Sequence, residues 1–207
     1  MKKNLPVYLL RGTPSALLGI GAGFVMASSA DVRAALGMGV AVLIAMLLSS
    51  IVVSATSKWI PSYAKTPAYL LIITGFVSLI SMLMQAFFPV VVDMLGVHLA
   101  ALAVSAVIYR DAEEVADHNT EETSIKTALV TGIFFTIVMV VCAVIREVLG
   151  NATFAGLPIE FLQDYKITAL AGAFGGYLVL AIFLAILNKI TGLHKEEPKK
   201  AQEKEDK

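Results

Sequence analysis

The sequence predicts an all-α membrane protein of six transmembrane helices, arranged as two inverted three-helix repeats. Three observations carry that prediction. The 207 residues are 57% hydrophobic and 15% charged, with a mean hydropathy of +0.80, outside the range of a soluble globular domain. Charge-free runs at 12–30, 34–57, 66–92, 94–109, 127–145 and 167–188 divide the chain into six apolar segments. Lysine and arginine gather in alternate loops, as they do in a chain that crosses a bilayer an even number of times.

The first segment is compromised as a helix. In ALLGIGAGFVMASS, Gly19, Gly21 and Gly23 alternate where a stable span would use better helix formers. The second and fifth segments each carry an early glycine, Gly39 in LGMGVAVLI and Gly132 in LVTGIFFTI. The third is long enough to tilt, and only Asp93 separates it from the fourth, which predicts a tight turn over 89–93. The fourth segment, MLGVHLAALAVSAVIY, is short. Its sixteen residues would reach about 24 Å as a helix, against a hydrocarbon core of about 30 Å. The sixth begins from a polar linker and contains Gly172, Gly175 and Gly176, which permit another helix, within the chain or from a partner, to come close.

Orientation follows from the basic residues. The N-terminus (Lys2, Lys3, Arg11), the loops holding Lys58, Lys65, Arg110 and Lys126, and the C-terminal tail together carry thirteen of them. Arg33, Arg146 and Lys166 fall on the other side. Both termini are therefore expected in the cytoplasm, with the protein in the inner (plasma) membrane. Residues 1–11 form a cytoplasmic N-terminus, 12–92 the first repeat, 93–191 the second, and 192–207 a Lys/Glu-rich tail expected to be disordered. Lys2 and Lys3 ahead of an apolar stretch also allow a signal peptide, but that stretch is long for one and Arg11 falls late. Because three is odd, two copies of a three-span unit lie in opposite orientations. In such proteins short or broken segments meet near the midplane and form the functional site. The first and fourth segments are the expected mates.

Several residues are candidates for chemistry. Gly19, Gly21 and Gly23 could line an ion or electron path or simply allow close helix packing. Ser105 and His98 are the polar side chains of the fourth segment, and His98, near its edge, reads as an interfacial histidine. Arg146 and Glu147 end the fifth. Ionisable groups at that depth need partners, and adjacent positions on a helix do not face each other, so separate partners are expected, for coupling or for anchoring the following loop. The loop DAEEVADHNTEE carries six carboxylates and reads as a solvated connector that could also attract cations or a basic surface. Asn151-Ala152-Thr153 fits a glycosylation sequon. One cysteine, Cys142, excludes a disulfide framework and a multi-cysteine metal site within the chain, and reads as an apolar filler. No nucleotide-binding loop, catalytic triad or metal-ligand spacing is present, which argues against independent catalysis; the balanced net charge says nothing about nucleic acid, and none is expected as a partner.

The sequence resembles the integral membrane subunits of the Rnf and sodium-pumping Nqr redox complexes, most closely the E subunit of Rnf and the D subunit of Nqr. IREVLGNATFAG, residues 145–156, is similar to the family's Arg-Glu-x-x-Gly-Asn-Gly-Thr region. LGMGVAVLI, Pro67-Ala68-Tyr69 and Ala112-Glu113 are similar as well. The resemblance implies a pair of six-helix subunits of opposite orientation, this chain beside an A subunit of Rnf or E subunit of Nqr type. It also implies flavin and iron-sulfur subunits around them, and electron transfer coupled to sodium or proton movement. In the family the two membrane subunits hold an intramembrane 2Fe-2S cluster through cysteines of their first and fourth spans. The matching positions here are Gly21 and Ala106, neither of which supplies the thiolate that such a cluster requires. No cofactor is therefore expected on this chain. The path candidates are Gly19, Gly21, Gly23, Ser105, Ala106, Glu113 and Glu147. The alternatives are an inverted-repeat transporter or channel component for an ion or small solute, and a structural anchor for redox subunits.

Overall fold

The computed structural model describes residues 31–116, 121–158 and 168–191, together with Gly23. Among these, three helical stretches are long and apolar enough to cross a membrane: Val32–Trp59, Ser62–Phe87 and Glu122–Asn151. Pro89–Leu95 with Val97–Glu113, bent by 76°, is apolar enough as a pair to be either a broken fourth span or a re-entrant loop. A shorter apolar helix covers Phe174–Ile186. Of the first predicted segment only Gly23 is described; Gly19 and Gly21 lie outside the described residues, as do Lys166 and the tail.

Helix α1 (Val32–Thr56) is the centre of the fold. Asp31 starts it from an extended backbone and accepts the Arg33 N–H at 2.8 Å, satisfying one of the donors that a helix N-terminus leaves open. Its 25 residues reach about 37 Å, enough to span with some tilt. It buries small and unbranched side chains, among them Ala34, Ala35, Met38, Ala41, Ala45 and Met46, so neighbours can approach closely.

Helix α2 (Lys65–Phe87) buries only Tyr69, Ile73, Val77 and Ile80. These four recur at helical spacing and make one narrow stripe, while Leu71, Leu79, Met82 and Leu83 face outward. In lipid such an outward apolar face carries no penalty, so α2 is a peripheral helix.

The predicted turn at 89–93 is not where the chain bends. Pro89 disfavours a helical Phe88, which sits at φ −134°, ψ 57°, and α2 ends there. Pro89 then opens the short helix α3 (Pro89–Leu95), which ends at Gly96 with φ +52° and ψ −132°. That backbone favours glycine, and the sharp bend falls at Gly96.

The fourth segment is interrupted rather than merely short. It runs as α4 (Val97–Ala101), a 3-10 turn (Leu102–Val104), an extended Ser105 (φ −66°, ψ 118°), α5 (Ala106–Arg110) and a π-helical turn (Asp111–Ala116). Helix α6 (Glu121–Arg146) then packs antiparallel against α1. Two glycines set that approach: a Cβ on Gly39 would lie 2.4 Å from Thr136 Cγ2, and one on Gly132 would lie 3.3 Å from Leu43 Cα. Thr136 Oγ1 donates to Gly132 O at 2.8 Å and, more distantly, to Gly39 O at 3.2 Å.

After α6 come a π-helical turn (Glu147–Asn151) and a two-stranded hairpin, β1 (Thr153–Phe154) and β2 (Leu157–Pro158), in register Thr153 to Pro158 and Phe154 to Leu157. Its two loop residues, Ala155 and Gly156, both have positive φ (51° and 80°), as a tight hairpin loop of the right-twisting kind requires. The last predicted segment is broken near its start into α7 (Thr168–Ala171) and α8 (Ala173–Thr191). Of the two approaches the glycines allow, from within the chain or from a partner, Gly175 admits one from within: the segment's own first turn, since a Cβ there would fall 2.2 Å from Leu170 Cα. Gly150 admits the same turn from the other side, 2.8 Å from Ala171 N.

Candidate functional site

Two polar centres interrupt the apolar interior, one at each end of α1. The first is built by Arg146 and Glu147. Both are buried, at 3% and 2% exposure, and the structure sends them to separate partners as their adjacency requires. Glu147 Oε2 accepts the Val32 N–H at 2.8 Å, so a carboxylate closes the N-terminus of α1, where the helix dipole favours negative charge. Its Oε1 accepts the Gly156 N–H at 2.8 Å and the Thr153 hydroxyl at 3.2 Å, pinning the hairpin to the bundle. Arg146 points the other way. Its Nη2 donates to Ala171 O at 3.0 Å and Gly172 O at 3.2 Å, and its Nε to Leu170 O at 3.4 Å, satisfying carbonyls left open where α7 stops. Opposite charges on consecutive residues thus close opposite helix ends. Of the two roles open to this pair in the sequence, the hydrogen bonds are those of an anchor.

The second centre lies toward the other end of α1, at the broken fourth segment. Ser105 is buried, at 2% exposure, and Ala106 is exposed. Ser105 N donates to Leu102 O and Tyr109 N to Ser105 O, each at 3.0 Å, so the chain turns out of helix and back within one residue. Six residues beyond Ser105, Asp111 is buried at 6% exposure and accepts the Ser50 hydroxyl of α1 at 2.7 Å. The sequence puts Asp111 in a solvated connector; the structure instead makes the first turn of that stretch π-helical and packs it on α1, with Ala112 fully buried. Glu113 is exposed.

The other sequence candidates are scattered. Gly23 is helical and exposed, with open space where a Cβ would project. His98 is exposed on α4. Cys142 is buried on α6 within the main core, as expected of a filler. The residues present at the fourth-segment position do not fit a 2Fe-2S cluster. Ala106 offers a methyl group, Ser105 a hydroxyl turned into the protein, and the chain's one thiol sits in a different helix. Among the described residues, no three His, Cys, Asp or Glu side chains gather as a metal would need.

Sequence reasoning missed Ser50 and Asp111 as a pair, and the hairpin glycine Gly156 as a ligand of Glu147. The local signal for Asp111 is weak because five other carboxylates share its stretch. The signal for Ser50 is a Ser49-Ser50 step inside an otherwise apolar helix.

The long apolar helices, the small-residue interfaces and the buried ionisable groups satisfied at helix ends define a multi-pass helical membrane protein with no enclosed catalytic constellation among its described residues. Over residues 7–187 the chain matches the family described as Rnf-Nqr subunit, membrane protein, and it belongs to that family. It is 27% identical over 186 residues to the E subunit of the Na(+)-translocating ferredoxin:NAD(+) oxidoreductase complex of Acetobacterium woodii, covering 90% of this chain and 95% of that one. To the E subunit of the ion-translocating oxidoreductase complex of Shewanella frigidimarina it is 30% identical, over 76% of this chain and 68% of that one. The E subunit of the same kind of complex in Aliivibrio fischeri (strain MJ11) is 31% identical over 62% of this chain, an alignment that spans 56% of the relative.

Proposed function

We propose that the chain is one membrane subunit of an Rnf-type complex, in which electron transfer among redox subunits is coupled to the movement of sodium ions or protons across the membrane. The observation that carries this reading is the family match along nearly the whole chain, joined to relatives named as E subunits of ion-translocating oxidoreductases. The absence of a catalytic motif in the sequence supports a role that depends on partners. Those partners are a sister six-helix subunit of opposite orientation and flavin and iron-sulfur subunits, with the lipid bilayer around them.

The finer architecture belongs to the same proposal. Six spans form two inverted repeats, both termini are cytoplasmic, and the membrane is the inner (plasma) membrane. Support comes from the α1/α6 contact, where Gly39 meets the residue four beyond Gly132, and Gly132 meets the residue four beyond Gly39. Two helices related by a two-fold axis make such reciprocal contacts. Arg33 and Arg146 lie at one end of this antiparallel pair, Lys58 and Lys126 at the other, which agrees with the sidedness read from the loops.

The fourth segment keeps the interruption expected of a midplane site while presenting Ala106 where the family resemblance calls for a ligand. No 2Fe-2S cluster is held by this chain, and the path candidates Gly19, Gly21, Gly23, Ser105, Ala106, Glu113 and Glu147 serve without one. Purification of the tagged full-length chain from its native membranes tests the reading. Flavin- and iron-sulfur-bearing subunits should co-purify in fixed proportion, and recovery of the chain alone under mild detergent would count against it.

A further inference from the structure

Asp111 differs from Glu147 and Arg146, the other buried acidic and basic side chains of the described structure. Glu147 receives three donors and Arg146 reaches three carbonyls. The carboxyl group of Asp111, just as deeply enclosed, receives the Ser50 hydroxyl at 2.7 Å as its hydrogen bond, and among the described residues no lysine or arginine is ion-paired with it. Ser50 itself lies about 9 Å of helix inside the Thr56 end of α1. A carboxylate enclosed among apolar helices with one neutral donor retains most of its desolvation cost unless a positive charge joins it.

We propose that Asp111, with Ser50, is an intramembrane binding site for one monovalent cation, a proton or an alkali ion. This deepens the ion-translocating reading and rests on it for its physiological use. The serine hydroxyl keeps lone pairs free while it donates, so it can join the carboxylate in presenting hard oxygen to a cation. The turn that carries Asp111 is π-helical, a form that appears mostly as single turns and often at functional sites. It begins five residues beyond Ala106, so the site adjoins the break in the fourth segment. Exposed Glu113, two residues on, places a second carboxylate on the solvent side.

The elements packed against this turn are α1, α2, α5 and α6. Their described titratable side chains are Lys65 and Tyr69 of α2, Tyr109 and Arg110 of α5, and on α6 the exposed Glu122–Lys126 pair, with Cys142 and Arg146 toward its other end; none has a hydrogen bond or ion pair to Asp111. On α1 the only charged side chain is Arg33, at the far end. Among the described residues, the Ser50 hydroxyl is the hydrogen-bond partner of the Asp111 carboxyl group.

Infrared difference spectroscopy tests the site on the full-length chain in lipid, with the subunits that co-purify. Spectra are taken across a pH step without sodium and across a NaCl step at fixed pH, with KCl as the paired control. The expected result is a carboxyl difference band that is missing in Asp111→Asn. A band driven by the pH step alone identifies a proton; one driven by NaCl identifies an alkali ion. Ser50→Ala, which keeps the carboxyl group, should move the midpoint of the band at least several-fold in proton or sodium concentration. Wild-type spectra that coincide with those of Asp111→Asn under both steps, or a Ser50→Ala midpoint equal to the wild type, would overturn the proposal. The readout needs no electron transfer. A binding signal in a chain that joins no redox complex would leave the site standing and remove the complex reading, and a redox complex without the signal would do the reverse.

Discussion

Replacing Glu147 by Gln changes one atom and tests the tie between α1, α6 and the hairpin. Glutamine has a single oxygen, so it can serve one side of the present arrangement. If that oxygen takes the place of Oε1, it keeps Gly156 N–H and the Thr153 hydroxyl, and its amide group then faces the Val32 N–H, donor against donor. An unsatisfied buried donor costs about 1–3 kcal/mol, and loss of the negative charge at a partly buried helix N-terminus costs up to about 2 kcal/mol more. The expected destabilisation is about 2–4 kcal/mol. In the opposite orientation the hairpin's two donors, Gly156 N–H and the Thr153 hydroxyl, lose their acceptor instead, and the cost is similar. Thermal unfolding of the purified protein in detergent, followed by loss of the monodisperse peak on size exclusion, reads the change. Glu147→Asp keeps the charge but is one methylene too short to reach all three donors, so it should fall between wild type and Glu147→Gln. A Glu147→Gln protein within about 0.5 kcal/mol of wild type would refute the anchoring argument, since that is the scatter of surface substitutions.

Other substitutions follow from the same contacts. Gly175→Ala places a methyl group 2.2 Å from backbone that cannot swing away, whereas Gly172→Ala meets only ordinary contact at 3.8 Å. The first should cost more than about 2 kcal/mol and the second less than about 1 kcal/mol, compared by the same melting assay. Gly39→Ala should destabilise by about 1–3 kcal/mol because its methyl group meets the Thr136 side chain. Thr136→Ser, which removes the methyl group in the way and keeps the hydroxyl, should restore at least half of that loss in a double-mutant cycle. Ser50→Ala removes the Asp111 donor and should cost about 1–3 kcal/mol in thermal stability, while Ser49→Ala, whose hydroxyl bonds only its own helix at Ala45 and Met46, should cost less than about 1 kcal/mol.

The parts of this fold that are legible in the sequence are those set by local chemistry. Helices α1, α2 and α6 follow from charge-free length, and the roles of Gly39 and Gly132 from small residues placed early in apolar helices. The interruption of the fourth segment is visible as a run too short to span. The position of the bend is not, because two signals compete. Pro89 is the stronger mark in sequence, yet proline at the first position of a helix starts one, and the chain bends instead at Gly96, where positive φ is available. The partners of Arg146 and Glu147 are not legible either. Val32 lies 115 residues from Glu147, and the hairpin glycine that completes the site has no periodic signature. Asp111 looks like one acid among six, and only the packing of its turn on α1 distinguishes it. Gly175 is ambiguous for a similar reason: a small residue announces close approach but not which backbone approaches.

The most direct test of the central claim, a subunit of a redox-driven ion translocase that supplies no iron ligand at its broken span, is iron and acid-labile sulfide analysis with electron paramagnetic resonance on the complex purified through this chain. Co-purified redox subunits with iron accounted for by those subunits alone is the predicted result. A stoichiometric intramembrane 2Fe-2S signal that disappears when cysteines of the sister membrane subunit are replaced would contradict the claim that this membrane pair works without its own cluster.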